Sequence, residues 1–283
     1  MRRALPLLLV LLLAPSAADA RRTWSPCVLS VPPADDGVLL AEFTTRFKAR
    51  VKRRAANVRL AALRLDGVTI PPHGRLSYNA TVGPRSEGRG FRAAPVIDNG
   101  QLTEKTGGGV CQPSSTLHAA ALLAGLGVEK RQSHLWASAY IAAGFDATVV
   151  WAQKDLVITN PYPFTVRVAA DTGVGFLTIR ILGDAPRPGW VELRTKELDR
   201  VAHKVVREPD ATLPIGREVL VNQGSDGLKV ARSRWWFLPG RRPRVEPLST
   251  DVYAPHDTLL KIGTPSQASI LPELGTHDAT SRD

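Results

Sequence analysis

The alternation of apolar and polar positions changes period several times along this chain, and each change marks an element. Apolar residues crowd Leu5–Leu13, behind Arg2-Arg3 and ahead of the small residues Ala14 to Ala20. That order predicts an export signal over residues 1–20, cleaved after Ala20. The apolar run is too short for a bilayer span, which takes roughly 20 residues. A proline-punctuated arm, 21–38, comes next. Leu39 to Leu65 reads as helical, with Asn57 as a cap, Val58, Ala61, Ala62 and Leu65 on one face, and Asp66-Gly67 as the stop. Short runs at Arg75–Tyr78 and Ala94–Ile97 predict strands between turns at Pro71-Pro72, Gly83-Pro84 and Asn99-Gly100.

Leu117 to Leu126 predicts a second helix. Pro113 suits its first position, Gly125 and Gly127 close it, and Leu117, Ala120, Ala121 and Ala124 form a buried stripe. Leu135–Tyr140, Ala147–Trp151, Leu156–Thr159, Thr165–Ala169 and Phe176–Leu182 then read as extended or β-rich. Pro186-Arg187-Pro188 predicts a linker to a small all-β module, 189–264, with strands at Val191–Arg194, Val201–Val206, Glu218–Val221, Val230–Phe237 and Ser249–Val252. Residues 265–283 form a polar tail, expected to be disordered. The predicted fold class is α+β: in 39–184 a cysteine-bearing helix packs on a mainly antiparallel sheet, and a small all-β domain follows.

Charge narrows the choice of partner. The chain carries a formal +11, and basic surfaces concentrate polyanions. For an exported protein these are anionic wall polymers or lipid headgroups, with arginine used simply for solvated faces as the alternative; nucleic acid is not expected. The run Arg46, Lys48, Arg50, Lys52, Arg53 and Arg54 reads as a solvated face. No segment after the signal reaches membrane length, so no transmembrane segment is expected once it is cleaved.

Candidate chemistry centres on Gly107-Gly108-Gly109-Val110-Cys111-Gln112-Pro113-Ser114-Ser115-Thr116. A cysteine at a helix N-terminus meets the partial positive charge of unpaired N–H groups, which favours its thiolate. The N–H groups of Gly107, Gly108 and Gly109 are candidates for an oxyanion site. Gln112, Ser114, Ser115 and Thr116 are candidate substrate contacts, with helix-start hydrogen bonding as the alternative for the hydroxyls. His134 is placed to act as base and Asp146 to orient it. Tyr78, Arg85 and Arg89 are further pocket candidates, and Trp136 and Trp151 read as core or groove wall. Three readings compete with a reactive thiol: a small buried hydrophobe at Cys111, a bridge from Cys111 to Cys27, and a zinc site using Cys111, His118 and His134. No metal or cofactor is called for.

Asn57–Ala62, Phe91 with Ala94–Ile97, Gly107–Gly109 with Cys111-Gln112 and Ser114–Leu117, Leu122–Leu126, His134, Tyr140 and Gly144–Val149 together resemble the VanW domain of exported bacterial proteins, over roughly 57–183. Pro113 departs from the usual valine-like residue. The module, with Asn222-Gln223-Gly224 and Ile262-Gly263-Thr264, is similar to small β modules that follow such domains. The resemblance implies a cell-envelope setting, periplasmic or at the cell surface, and a link to vancomycin-type glycopeptide resistance; it implies no settled activity. A cysteine before a helix, then a histidine strand and an aspartate strand, is also similar in layout to transglutaminase-like and papain-like cores. Two functions follow as expectations. One is a Cys111/His134/Asp146 enzyme acting on peptidoglycan stem peptides. The other is a non-catalytic module for wall binding or envelope assembly.

Overall fold

The computed structural model describes residues 37–98 and 101–265. The export signal, nearly all of the proline-rich arm including Cys27, the Asn99-Gly100 turn and almost all of the tail lie outside the described residues. The elements run β1 (Val38–Arg46), α1 (Lys52–Leu65), β2 (Thr69–Ile70), β3 (Arg75–Ser77), α2 (Tyr78–Val82), a 3-10 turn at Glu87–Arg89, β4 (Ala93–Asp98), β5 (Gln101–Thr106), α3 (Cys111–Leu123), β6 (Gly127–Lys130), β7 (Val157–Thr159), β8 (Val166–Thr172) and β9 (Phe176–Gly183). The module adds β10 (Trp190–Val201), β11 (Val205–Asp210), β12 (Glu218–Asn222), β13 (Gly227–Phe237), β14 (Arg244–Tyr253) and β15 (Thr258–Gly263). The described chain is mostly β, in several small sheets.

The first part of the expected helix from Leu39 is instead strand β1. It forms one edge of the sheet β1-β9-β8-β2 and pairs antiparallel with β9, from Val38 opposite Gly183 to Arg46 opposite Phe176. A partner more than a hundred residues away decided this segment, and no local period reveals such a partner. Helix α1 starts only at Lys52. Val58, Ala61, Ala62 and Leu65 are buried, as their spacing predicted, and α1 lies against β8. Asn57 is not a cap. It sits buried inside α1, where its amide donates to the carbonyls of Arg92 and Gly108 and accepts from the Arg92 N–H, tying the glycine loop to the helix.

Helix α3 is buried on every side from Gln112 to Leu123. Leu117, Ala120, Ala121 and Ala124 join one core with α1, β8 and β9. Ala119, Leu122 and Leu123 join a second core with Ile141, Phe145 and, from the module, Val191 and Leu193. A helix that is mostly apolar around its circumference needs cover on all faces, and here the module supplies part of it. The module also caps the helix: the Arg234 guanidinium, itself buried, donates to the carbonyls of Leu126 at 2.7 Å and Leu122 at 3.4 Å. A cation at a helix C-terminus satisfies orphan carbonyls and meets the negative end of the dipole. Within the module, β10-β13-β14 form one sheet and β11-β15-β12 another, with β11 and β15 parallel.

Between β6 and β7 the chain runs irregularly through residues 131–156, apart from a bridge between Val150 and Lys154. Strands expected at Leu135–Tyr140 and Ala147–Trp151 do not form. The helix–strand–strand layout expected by analogy with transglutaminase-like and papain-like cores is therefore not built here. His134 and Asp146 both belong to this one loop.

Candidate active site

Cys111 is the first residue of α3 and a free, partly exposed thiol. Pro113 falls two residues later than expected, still within the first turn, where its missing N–H has no helical partner to lose. The Cys111 side chain opens into a groove of about 730 Å³, walled also by His134, the glycine loop, Arg85 and the Thr148–Trp151 strip. The loop that lacks strands is held by side-chain bonds. Ser114 Oγ donates to the Ala147 carbonyl at 2.6 Å, and Ser115 Oγ accepts from the Ala147 N–H at 2.9 Å, so the residue after Asp146 is stapled to the start of α3.

Cys111, His134 and Asp146 are brought together. Asp146, buried to 1% exposure, accepts through Oδ2 from His134 twice, from its backbone N–H at 2.7 Å and its ring Nδ1 at 2.6 Å. The imidazole lines the same groove as the Cys111 sulfur, and the two groups act on each other through their charges. Tyr140 packs edge-on to the ring, with centroids 6.4 Å apart, and its hydroxyl donates to the Cys111 carbonyl. Asp146 Oδ1 is held by Arg131 Nη2 at 3.0 Å and by the Tyr253 hydroxyl.

Charge follows from this geometry. Burial pushes the Cys111 thiol up, but the interaction with His134, backbone hydrogen bonding at Val149 and the charge of Arg85 together bring it below the ordinary thiol value. Burial would lower His134, yet the bonds to Asp146 and Cys111 dominate and raise it to about 9. Burial opposes ionisation of Asp146, and the His134 bond and charge with Arg131 and Tyr253 overcome it, holding the carboxyl below its usual range. A thiolate–imidazolium pair oriented by a carboxylate is the arrangement that acyl transfer by a cysteine requires.

The expected substrate contacts are corrected on several points. Gln112, Ser114, Ser115 and Thr116 are all buried. Gln112 Nε2 donates to Thr45 and to the Arg46 carbonyl, and Thr116 shares a bond with Thr45, so both tie α3 to β1. The serine hydroxyls serve the Ala147 staple and the Cys111 carbonyl. The glycine loop is not a row of free donors either: the N–H of Gly107 is bonded to the Arg92 carbonyl and that of Gly108 to the Lys105 carbonyl. What the glycines provide is closeness. A Cβ on Gly107 would stand 2.7 Å from the Arg85 Cβ, one on Gly108 2.5 Å from the Ala94 carbonyl oxygen, and one on Gly109 2.9 Å from the Arg54 side chain. Gly107 and Gly109 also have φ of +86° and +107°, where side chains are strained.

His118 belongs elsewhere. Its Nδ1 bonds to the Phe145 carbonyl, Arg232 lies at its Nε2, and burial with the charges of Arg232 and Arg131 lowers it to about 3. Among the described residues no group of three metal-ligating side chains is assembled, so Cys111, His118 and His134 do not form a zinc site. Of the pocket candidates, Arg85 lines the groove, Tyr78 is buried with its hydroxyl on the Val110 carbonyl, and Arg89 is exposed outside the groove. Trp151 is groove wall, and Trp136 packs on His256 at 5.1 Å.

Sequence reasoning missed Arg131 and Tyr253. Arg131 pairs with Asp146 and, at 2.6 Å, with Asp251 of β14; Tyr253 reaches Asp146 from the end of the same strand and also accepts from the Gly144 N–H. Tyr253 lies 107 residues from its partner, and no spacing rule covers that distance. Arg131 stands only three residues before His134, beside a residue already singled out, and is the one that could have been suspected.

Residues 53–182 match the family model described as VanW like protein, and residues 192–265 match that of the G5 domain. A curated relative, the uncharacterized protein YoaR of Bacillus subtilis (strain 168), is 37% identical over 172 residues, 61% of this chain and 55% of YoaR, so the match spans about half of that relative's length. Two solved structures are similar over about a quarter of this chain: an IgA1 protease G5 domain (19% identity, 27% of this chain and 92% of that one, TM-score 0.19) and HP0197-G5 (26% identity, 26% and 95%, TM-score 0.16). Among the described residues no helix is long and apolar enough to cross a membrane. The chain carries a VanW-like domain followed by a G5 domain.

Proposed function

We propose that this is an exported cell-envelope protein whose VanW-like domain catalyses thiol-dependent acyl transfer on peptidoglycan stem peptides, as an amidase, peptidase or transpeptidase. One observation carries the reading: the Cys111 thiol and the His134 imidazole line one open groove, and the buried Asp146 carboxylate holds the ring through Nδ1. In the first step the Cys111 thiolate attacks the amide carbonyl carbon, forming the C–S bond. As the tetrahedral intermediate collapses, the C–N bond breaks and the His134 imidazolium gives its proton to the departing amine. The neutral imidazole then takes a proton from water, or from an acceptor amine, as that nucleophile attacks the thioester, and the C–S bond breaks to return the thiolate. Asp146 remains ionised throughout, fixing the ring tautomer and stabilising the imidazolium. The G5 domain and the basic surface support an envelope setting, with the module binding wall polymer.

The test is incubation of the purified protein with sacculi and defined stem peptides, followed by chromatography and mass spectrometry. Bond cleavage or exchange by the native protein and none by Cys111→Ala is expected. If the native protein changes no peptide, or Cys111→Ala works as well, the enzyme reading is lost. A second reading, non-catalytic wall binding, draws on the same module and charge. It predicts that sacculi retain Cys111→Ala as well as the native protein while no peptide is altered.

A further inference from the structure

Apart from the Cys111 thiolate, the charged residues that line the groove are cationic. Arg85, Lys105 and Lys154 stand around it with His134, and among the described residues no Asp or Glu contributes to the wall. Arg85 differs from the two lysines, which are exposed. Its guanidinium is packed over the rings of Tyr78 at 5.4 Å and Trp151 at 6.0 Å. Its Nη1 donates to the Gly83 carbonyl at 2.9 Å, while Nε and Nη2 are buried without a hydrogen-bond partner. Buried donors without acceptors are costly, and a guanidinium offers paired N–H groups that match the two oxygens of a carboxylate. The fold takes trouble to seat this side chain: Gly107 must lack a Cβ because the Arg85 Cβ would stand 2.7 Å from it. Trp151, 43% exposed, lines the groove beside the guanidinium.

We infer that Arg85 is a specificity-determining residue that receives a carboxylate of the substrate, so the Cys111 groove takes acyl donors bearing a free carboxylate near the reacting carbonyl. This rests on the thiol-enzyme reading above and adds the substrate's charge to it. A ligand carboxylate supplies the acceptors that Arg85 lacks.

The experiment compares alkylation of Cys111 by iodoacetate and by iodoacetamide in the full chain, followed by mass spectrometry of the peptide containing Cys111 so that Cys27 does not contribute. Both reagents form an S–C bond and release iodide, but only iodoacetate carries a carboxylate. The rate ratio of iodoacetate to iodoacetamide is expected to fall about tenfold in Arg85→Gln and to be only partly restored in Arg85→Lys. In Lys229→Gln, which loses an equal but exposed charge outside the groove, it should stay within about twofold. With the native protein, N-acetyl-D-alanine should slow alkylation by iodoacetamide saturably and its amide should not; this arm needs no variant to fold. An unchanged ratio in Arg85→Gln, or equal protection by acid and amide, overturns the carboxylate site and leaves the thiolate reading intact. Should Cys111 react with neither reagent, the thiolate reading falls and the carboxylate site with it.

Discussion

The protein contains the same local histidine–aspartate arrangement twice. In the VanW-like domain, Asp146 accepts from both the backbone N–H and the ring Nδ1 of His134. In the G5 domain, Asp226 accepts from the backbone N–H of His203 at 3.2 Å and its Nδ1 at 2.7 Å. Both carboxyls are held below their ordinary value, Asp226 at about 2 chiefly by the His203 bonds. The surroundings differ. Asp146 is 1% exposed, locked by Arg131 and Tyr253, and its histidine faces a thiol in a groove. The Asp226 side chain is 29% exposed, its other neighbour is the surface Arg200, and it stands outside the Cys111 groove. The ring and carboxylate geometry is thus a common local solution. What makes a candidate site is burial of the acid together with a nucleophile on the far side of the ring.

The largest effect that would test this contrast is loss of the nucleophile. Cys111→Ala is expected to bring peptide turnover to background, a fall of about a thousandfold or more, while circular dichroism melting shows a folded protein. His203→Ala is expected to leave turnover within about twofold. Equal losses from the two substitutions, assayed side by side, would mean that the contrast is false.

Next in size is the acid. Asp146→Asn removes the charge that stabilises the imidazolium and leaves Arg131 with Asp251 alone. Turnover should fall by about a thousandfold, and stability by roughly 3–5 kcal/mol, the usual cost of breaking a buried ion pair from one side. Asp226→Asn, at a solvated pair, should do neither. Urea unfolding of both variants with peptide assays in parallel decides the matter.

How much of this was legible in the sequence depends on the range of the interaction that decides each feature. The α1 face and the α3 stripe were readable because a 3.6-residue period reports burial within one helix. Cys111, His134 and Asp146 can be chosen by residue type and order, but not their support: a loop without strands holds the last two, pinned by Ser114 and Ser115, for which the sequence offers substrate contact or helix-start hydrogen bonding and nothing that points to Ala147. Those hydroxyls turn inward because α3 is covered on both sides, once by the sheet and once by the module, and a single helix stripe records only one cover. Strand β1 was misread as helix for the same reason, since its partner β9 lies at the far end of the domain. Tyr253 was invisible because it arrives from another domain.

A smaller effect concerns pH. Cys111 ionises below an ordinary thiol and His134 is raised to about 9, so between those points the pair is thiolate and imidazolium. Alkylation by iodoacetamide should therefore begin at lower pH than for a free thiol, whose ordinary value is about 8.5. Turnover should be bell-shaped: it rises as Cys111 loses its proton and falls as His134 loses its own near 9, because the leaving amine then lacks an acid. His203→Ala should move neither limb. An alkylation curve that coincides with that of free cysteine would remove the ion pair from the account.

The smallest effect sharpens the contrast most, because it asks whether the second domain contributes to the first. Tyr253 donates to Asp146 Oδ1 and accepts from the Gly144 N–H, while Asp146 keeps its bond to Arg131 in any case. Tyr253→Phe deletes one hydroxyl and little volume. The cost in stability should be about 1–2 kcal/mol, and a merely structural role would end there. If the hydroxyl also steadies the ionised carboxylate, its loss makes Asp146 a stronger partner for the imidazolium. The alkaline limb of turnover then moves to higher pH, while the pH dependence of alkylation moves slightly lower. Those opposite shifts, read in one buffer series, distinguish a phenol that tunes the acid from one that only fills the interface. If Tyr253→Phe melts earlier while both curves stay where they were, the G5 domain braces the VanW-like domain and has no part in its charge.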